Sequence, residues 1–159
     1  MKKPTKKPTK KKPVIVAVSG GFDPLHVGHI DYFNDAKKLG DKLVVILNND
    51  NWLKLKKGHI FMPEQERKEI IEALRLVDRV ALTKHKPNTK DISVCRVLEE
   101  LKPDIFANGG DRVRDNIPEV ATCKKIGCRM VFNVGRRGKI QSSSWLVGKY
   151  VKPAARKKL

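Results

Sequence analysis

The chain has 159 residues and a formal net charge of +18, from 35 basic and 17 acidic side chains. This length suits a single domain with a full hydrophobic core. No apolar stretch approaches the roughly 20 residues that span a bilayer, and the N-terminus lacks the apolar segment of a signal peptide. We therefore expect a cytoplasmic protein.

Much of the positive charge lies at the two ends of the chain. Residues 1–13 contain seven lysines, and residues 151–159 contain four further basic side chains. Such segments cannot bury apolar surface, so we expect a disordered tail at 1–13, a folded domain at 14–150 and a basic tail at 151–159. Contact between the lysine tail and nucleic acid or another polyanion is an open alternative.

Strand-like and helix-like segments alternate along the folded part. Apolar, β-branched runs predict strands at residues 14–18, 42–47, 79–82, 104–107 and 129–134. Helical spacing predicts helices at 28–39, 63–77, 91–101, 118–126 and 142–150, while 48–51 is typical of a loop and 52–60 has no clear pattern. This alternation predicts a single Rossmann-like α/β domain, with a doubly wound, mostly parallel sheet covered by helices on both faces.

Residues 20–29, which follow the first predicted strand, read Gly-Gly-Phe-Asp-Pro-Leu-His-Val-Gly-His. The amides of a helix N-terminus point at an anion, and the helix dipole favours negative charge there. His26 and His29 lie three residues apart at such a helix start, and an imidazole can add a proton near neutral pH. Gly20 and Gly21 let the backbone approach a ligand closely. We interpret the segment as a phosphate site, although capping or core histidines are the plainer alternative.

Further polar residues follow the predicted strands, and each has a structural and a functional interpretation. Asp23 caps the turn or faces a magnesium ion bound to phosphate. The cluster Lys54, Lys56 and Lys57 is a solvated surface or closes over phosphates. Asp111 is a turn residue or a nucleotide contact.

Arginine and serine side chains near the C-terminus predict a second anion site. Arg136 precedes Ser142 and Ser143, and hydroxyls and amides at a helix start bind anions as the first loop does. The alternative is a simple serine cap of the last helix.

The chain resembles the cytidylyltransferase-like nucleotidyltransferases from residue 14 to about residue 148. The motifs that carry the resemblance are residues 21–29, Lys37 to Asp41, Glu66-Arg67, residues 101–104, Gly109-Gly110-Asp111 and the serines at 142–144. Within the family it is similar to the glycerol-3-phosphate cytidylyltransferases and to the adenylyltransferase domains that make ADP-heptose. The loop at 109–111 matches the adenylyltransferase group, but the chain is similar to both groups. CTP and ATP therefore both stay open as the nucleotide.

The resemblance implies an enzyme in which a small phosphorylated alcohol or sugar attacks the α-phosphate of CTP or ATP and releases pyrophosphate, with Mg²⁺ as cofactor. It implies that His26 and His29 stabilise the developing charge, with Lys57 as a third catalytic residue. The lysine cluster and the segment 136–144 would hold the β- and γ-phosphates, and Asp111 would lie near the base or ribose. The resemblance also implies a homodimer. The implied nucleotide-binding residues are Gly20, Gly21, Phe22, Asp23, Lys54, Gly109, Asp111, Arg136, Ser142 and Ser143, with Asp23 also as the metal ligand.

Two other functions compete with this hypothesis. One is adenylyl transfer to FMN on the same fold. The other is a non-catalytic protein that binds nucleotide or nucleic acid. The intact His26 and His29 pair favours an enzyme, because a binding protein has no need of all these residues.

Overall fold

The computed structural model describes residues 11–110, 117–135 and 141–149. The predicted tails lie almost entirely outside these ranges, and only residues 11–13 of the first are described, as exposed chain. The strands are β1 (Ile15–Gly20), β2 (Lys42–Leu47), β3 (Arg79–Leu82), β4 (Ile105–Gly109) and β5 (Arg129–Val134). The helices are α1 (Val27–Lys37), α2 (Asp50–Lys57), α3 (Glu64–Glu72), α4 (Cys95–Leu101), α5 (Glu119–Ile126) and α6 (Ser143–Gly148).

The five strands form one parallel sheet in the order β3-β2-β1-β4-β5. Alternate side chains of each buried strand enter different cores, as strand geometry requires. Val16 and Val18 pack with Phe33 of α1 and with α3, whereas Ala17 packs with α4 and α5 on the opposite face. The prediction of a doubly wound parallel sheet with helices on both faces is therefore confirmed.

This strand order places a crevice at the carboxyl ends of β1 and β4. The chain leaves β1 toward β2 on one side, and it returns to pair β4 on the other side. Ligands of open α/β sheets bind at such a reversal of strand order, outside the carboxyl ends of the strands. Because all five strands are parallel, the segments that follow β1, β4 and β5 meet at this edge.

Helix α2 occupies residues that the sequence left unassigned or predicted as a loop. The side chain of Asn49 caps it by accepting the backbone N–H of Trp52 at 3.1 Å. Gly58 ends it with φ +76°, the left-handed conformation that favours glycine after a helix. The prediction of a loop over residues 48–51 is therefore wrong at Asp50 and Asn51, which are helical.

The start of α4 also differs from its prediction, because the helix begins at Cys95 rather than at residue 91. Asp91 accepts the backbone N–H of Ser93 at 2.9 Å and so forms a local turn that competes with a helix. Ile92 lies partly exposed rather than in the core, and its carbonyl accepts the indole N–H of Trp52 at 2.9 Å. Similarly, Ile70 is exposed on α3, where Ile71 fills the core instead.

None of the helices in the described ranges has both the length and the apolar character that are needed to cross a membrane.

Candidate active site

A cavity of about 710 Å³ opens at the carboxyl ends of β1, β4 and β5. This volume lies within the range of small-molecule sites. Residues from the β1–α1 loop, the start of α1, the end of α2, both glycine-rich strand ends and the start of α6 surround it. Its lining includes the predicted site residues Gly20, Gly21, Phe22, His26, His29, Lys57, Gly109, Ser142 and Ser143.

The two histidine rings lie stacked at the N-terminus of α1, with centroids 3.7 Å apart and planes inclined by 22°. The backbone N–H of His26 donates to Nδ1 of His29 at 3.3 Å, so a neutral His29 ring carries its hydrogen on Nε2. Nδ1 of His26 is buried and has no hydrogen-bond partner in the described part of the chain. A Cβ at Gly28 would lie 3.1 Å from the His26 ring, which explains the glycine between the histidines.

Phe22 packs against the ring of His29 in this pair. Its ring contacts the edge of the His29 ring, with centroids 4.9 Å apart, and also contacts Phe33 in the core. Phe22 is buried although its φ of +48° lies in the left-handed region, which is strained for a bulky side chain. A Cβ at Gly20 would lie 2.7 Å from the Phe22 ring, so this packing requires glycine there.

Burial and neighbouring positive charge keep the histidines neutral in the free protein. Burial, the His26 ring and the Lys57 ammonium lower the pKa of His29 to about 3. Burial and Lys57 also lower the pKa of His26. The pKa of Lys57 is lowered by its own burial and by Arg67, against the opposing effect of the Asp23 carboxylate. The cavity therefore concentrates groups that gain from an incoming anion.

Three side chains from three different elements hold the carbonyls of the loop that leads to the histidines. Arg67 of α3 donates to the carbonyl of Gly21 at 2.7 Å. Lys57 of α2 donates to that of Asp23 at 3.3 Å, and Ser143 of α6 donates to that of Pro24 at 2.8 Å. The loop is therefore fixed from several directions before any ligand arrives, as a preorganised site requires.

Arg67 is the deepest of these supports, because its side chain is 0 % exposed. Besides Gly21, its guanidinium donates to the carbonyls of Asn48 at 2.8 Å and Met62 at 2.9 Å. It also pairs with the Asp50 carboxylate at 2.7 Å. Sequence reasoning noted Arg67 only as part of a motif and missed this positioning role.

Two predicted residues lie where their assigned roles do not match the geometry. Asp23 is 1 % exposed, and its carboxylate oxygens accept the backbone N–H groups of Phe61 at 2.8 Å and Met62 at 2.7 Å. It fastens the segment after α2 rather than facing the cavity as a metal ligand. Lys54 is exposed on α2 and does not line the cavity.

The serines at the start of α6 divide into two roles. Ser143 is buried and its hydroxyl donates to the carbonyl of Pro24, so this residue attaches α6 to the histidine loop. Ser142 lies at the N-cap position of α6, but its side chain makes no capping hydrogen bond. Ser142 and Ser144 line the cavity. The predicted contacts Asp111 and Arg136 lie outside the described residues.

The cavity also contains residues that sequence reasoning missed. Tyr32 lines the cavity, and its hydroxyl donates to the carbonyl of Ala107 at 2.6 Å. Asn108 at the end of β4 and Asn133 at the end of β5 line the cavity as well. Tyr32 follows His29 by three residues, so helical spacing places both on one face, a signal that was available from the sequence.

The sequence of this chain matches a known protein family. A sequence model of the family described as cytidylyltransferase-like matches residues 17–148. The FAD synthase of Thermococcus sibiricus is 41 % identical over 105 residues, which are 65 % of this chain and 68 % of that protein. The FAD synthase of Pyrococcus abyssi is 42 % identical over 98 residues, which are 61 % of this chain and 63 % of that protein. The chain thus spans about two thirds of the length of these relatives.

Two further matches are to proteins that are not named FAD synthase. The bifunctional protein HldE of Streptomyces coelicolor is 36 % identical over 120 residues, which are 74 % of this chain but only 25 % of that protein. The crystal structure of the lipopolysaccharide core biosynthesis protein of Thermoplasma volcanium superposes with a TM-score of 0.61 and 32 % identity. The match covers 77 % of this chain and 95 % of that structure, so the two folds agree.

The buried guanidinium network predicts a large cost for Arg67→Met. The substitution keeps an apolar stem but leaves three carbonyls and Asp50 without their donor, and hydrogen bonds to a charged group are worth about 1.5–3 kcal/mol each. We expect the free energy of unfolding, measured with denaturant, to fall by about 3 kcal/mol or more. Arg96→Met, which removes only a surface pair with Glu100, should change it little. Equal stabilities of the two variants would contradict the role of Arg67.

The low pKa of His29 predicts a specific pH dependence of stability. An unfolded histidine titrates near 6.5, whereas the folded His29 has a pKa of about 3. Between these values only the unfolded chain holds the proton, so acidification favours unfolding. Between pH 6.5 and pH 4.5, the free energy of unfolding should fall more steeply in the wild type than in His29→Gln. The difference in slope should reach about 1 kcal/mol per pH unit.

The control for this measurement is His59→Gln, because His59 is exposed and does not line the cavity. Its unfolding should follow the wild-type pH dependence. If His29→Gln kept the wild-type slope as well, the His29 ring would not be held neutral by the fold.

Proposed function

The chain belongs to the cytidylyltransferase-like family of nucleotidyltransferases, and on that premise we propose that it transfers AMP from ATP to FMN to form FAD. A phosphate oxygen of FMN attacks the α-phosphorus of ATP. The bond between that phosphorus and the oxygen bridging to the β-phosphate breaks, and pyrophosphate leaves with the electron pair. No covalent intermediate on the protein is needed, so catalysis consists of positioning and electrostatic stabilisation.

The observation that carries the proposal is the stacked pair of His26 and His29 beside Lys57 at the start of α1. These three cavity residues supply N–H donors and one positive charge at a helix N-terminus, where backbone amides also face an anion. The neutral imidazoles donate to the α- and β-phosphate oxygens. As the negative charge approaches, protonation of the rings becomes favourable, which strengthens the same contacts. Ser142 and the backbone of Gly20 and Gly21 complete the phosphate contacts.

The residues that the structure describes do not form a metal centre of their own. In the described ranges, no group of three or more histidine, cysteine, aspartate or glutamate side chains is placed to hold a metal ion. The Asp23 carboxylate is already bonded to two backbone N–H groups. We propose that Mg²⁺ enters on the phosphates of the nucleotide, because magnesium is commonly held by substrate phosphates with few protein ligands.

FMN replaces a small phosphorylated alcohol or sugar as the proposed acceptor, which reverses the order of preference that the sequence suggested. The reason is that relatives from Thermococcus and Pyrococcus named FAD synthase match this chain at 41 % and 42 % identity. A sugar phosphate remains the second candidate, since HldE also matches. The cytoplasmic location and the homodimer stay predictions, and contact between the lysine tail and polyanions stays an open alternative.

A panel of substrates tests the choice of acceptor. The purified protein is incubated with Mg²⁺ and either ATP or CTP, together with FMN, glycerol 3-phosphate or a sugar 1-phosphate. We expect FAD and pyrophosphate from ATP with FMN, measured by chromatography and by a coupled pyrophosphate assay. Turnover only with another acceptor would replace FMN by that acceptor, and absence of turnover with every pair would contradict the enzyme function.

Substitutions in the cavity test the proposed mechanism. Lys57→Met and His29→Asn each remove one preorganised donor, for which losses of about 10²–10³ in kcat are typical. We expect decreases of that size at saturating substrate. The control is Lys38→Met, because Lys38 is an exposed lysine at the C-cap of α1 that pairs with Asp35 and does not line the cavity. Its kcat should change less than twofold, and a similar kcat for Lys57→Met would exclude Lys57 from the mechanism.

A further inference from the structure

We propose that Asn133 recognises the base of the nucleotide. Its carboxamide pairs with the exocyclic amino group and the neighbouring ring nitrogen that adenine and cytosine both present. The inference rests on the proposed function, because it assigns a part of the same cavity to the nucleoside. It adds a residue that neither the motif nor the sequence pattern indicated.

An irregularity in the sheet brings Asn133 to the cavity. Ala107 of β4 pairs with Val131 of β5, but two residues later Gly109 pairs with Val134, so the register shifts by one residue. The extra residue on β5 forms a bulge, a feature that re-aims a side chain at the edge of a sheet. Asn133 lies within it, with φ +58°, and lines the cavity.

Tyr32 fixes this bulge to the helix that carries the histidines. Its hydroxyl donates to the carbonyl of Ala107 at 2.6 Å, where the register begins to shift. A Cβ at Gly109 would lie 3.1 Å from the Tyr32 ring, and one at Gly135 would lie 3.4 Å from the Tyr32 backbone. The wall formed by the ends of β4 and β5 is therefore packed directly against α1. A base held at Asn133 and phosphates held at the histidines occupy positions that one rigid unit defines.

The chemistry of the Asn133 side chain fits this position. Asn133 is exposed, and within the described ranges its carboxamide has no hydrogen-bond partner. A carboxamide presents a donor beside an acceptor. Adenine and cytosine offer the complementary edge, an amino donor beside a ring-nitrogen acceptor, and asparagine forms such bidentate pairs with adenine in protein–DNA complexes. One side chain thus accounts for recognition of either triphosphate that the motifs left open.

Asparagine also suits a left-handed turn without any ligand, because it adopts that conformation more readily than most residues. Asn88 provides the matched control for this purely conformational role. It has the same φ of +58°, it is exposed, and it does not line the cavity. Glycine at either position keeps the backbone conformation and removes only the side chain.

The experiment is a double-mutant cycle between the side chain and one group of the ligand. Calorimetry measures the dissociation constants of ATP and of purine riboside triphosphate, which lacks only the amino group, for the wild type, Asn133→Gly and Asn88→Gly. If the wild type prefers CTP, the pyrimidinone riboside triphosphate replaces the purine analogue. We expect the wild type and Asn88→Gly to bind the nucleotide with the amino group at least about 10-fold more tightly than the analogue without it. For Asn133→Gly, the dissociation constants of the two ligands should agree within about twofold.

Equal discrimination by Asn133→Gly and the wild type would overturn the inference, as would a wild type that does not discriminate. Failure to bind either ATP or CTP would overturn both this inference and the proposed function. Discrimination that depends on Asn133, combined with no turnover of any acceptor, would leave the base contact standing and contradict only the proposed reaction. Denaturant unfolding of both glycine variants checks that each folds like the wild type.

Discussion

The buried guanidinium of Arg67 is the interaction on which the site depends. It joins three segments of the chain, because it bonds to Gly21, to the nearby pair Asn48 and Asp50, and to Met62 at 2.7–2.9 Å. These segments are the end of β1, the end of β2 with the first turn of α2, and the approach to α3. A lysine has one donor centre and no planar fork, so it cannot replace this geometry. The loop before the histidines takes its shape from α3, a helix that contributes nothing to the cavity lining.

Asp23 acts in the same direction as Arg67, although its sequence context suggested a ligand. Its carboxylate holds Phe61 and Met62 through their backbone N–H groups, and Met62 is also held by Arg67 through its carbonyl. The segment after α2 is thus fixed from both sides. As a consequence, Lys57 at the end of α2 reaches the cavity, while Lys54, one turn earlier, faces solvent.

The electrostatic state of the histidine pair in the free protein differs from the one that the sequence suggested. A histidine pair at a helix start predicts rings that protonate near neutral pH, but the stacked and half-buried rings beside Lys57 disfavour that charge. The free protein therefore avoids the cost of two adjacent cations. If the proposed function holds, the polyphosphate of the nucleotide supplies negative charge here, and proton uptake is then linked to nucleotide binding.

The spacing of apolar residues and the positions of the motifs predicted most of the fold and the location of the candidate site. The runs at residues 42–47, 79–82 and 129–134 match β2, β3 and β5 residue for residue, because buried parallel strands are short apolar runs. Local hydrogen bonding explains the misses. The cap at Asn49 creates α2 in a basic segment without clear periodicity, and the Asp91 turn delays α4.

The site residues that were missed share one property: their role depends on contacts between distant segments. Tyr32 bonds to Ala107, and Asn133 reaches the cavity through a shift of register between β4 and β5. Helical spacing puts Tyr32 on the face of His29, but neither its bond to Ala107 nor the register shift leaves a trace in the sequence. The histidines were found because glycine, proline and imidazole occur together within ten residues.

The attachment of Ser143 to the carbonyl of Pro24 joins residues 119 positions apart. During synthesis the histidine loop leaves the ribosome well before the wall that α6 supplies. Chains fold as they are made, at about 5–20 residues per second. The central strand β1 must also await β4 before both of its edges are paired. A nascent chain that does not yet include α6 therefore cannot complete this pocket, and the cavity closes on that side only after α6 has been synthesised.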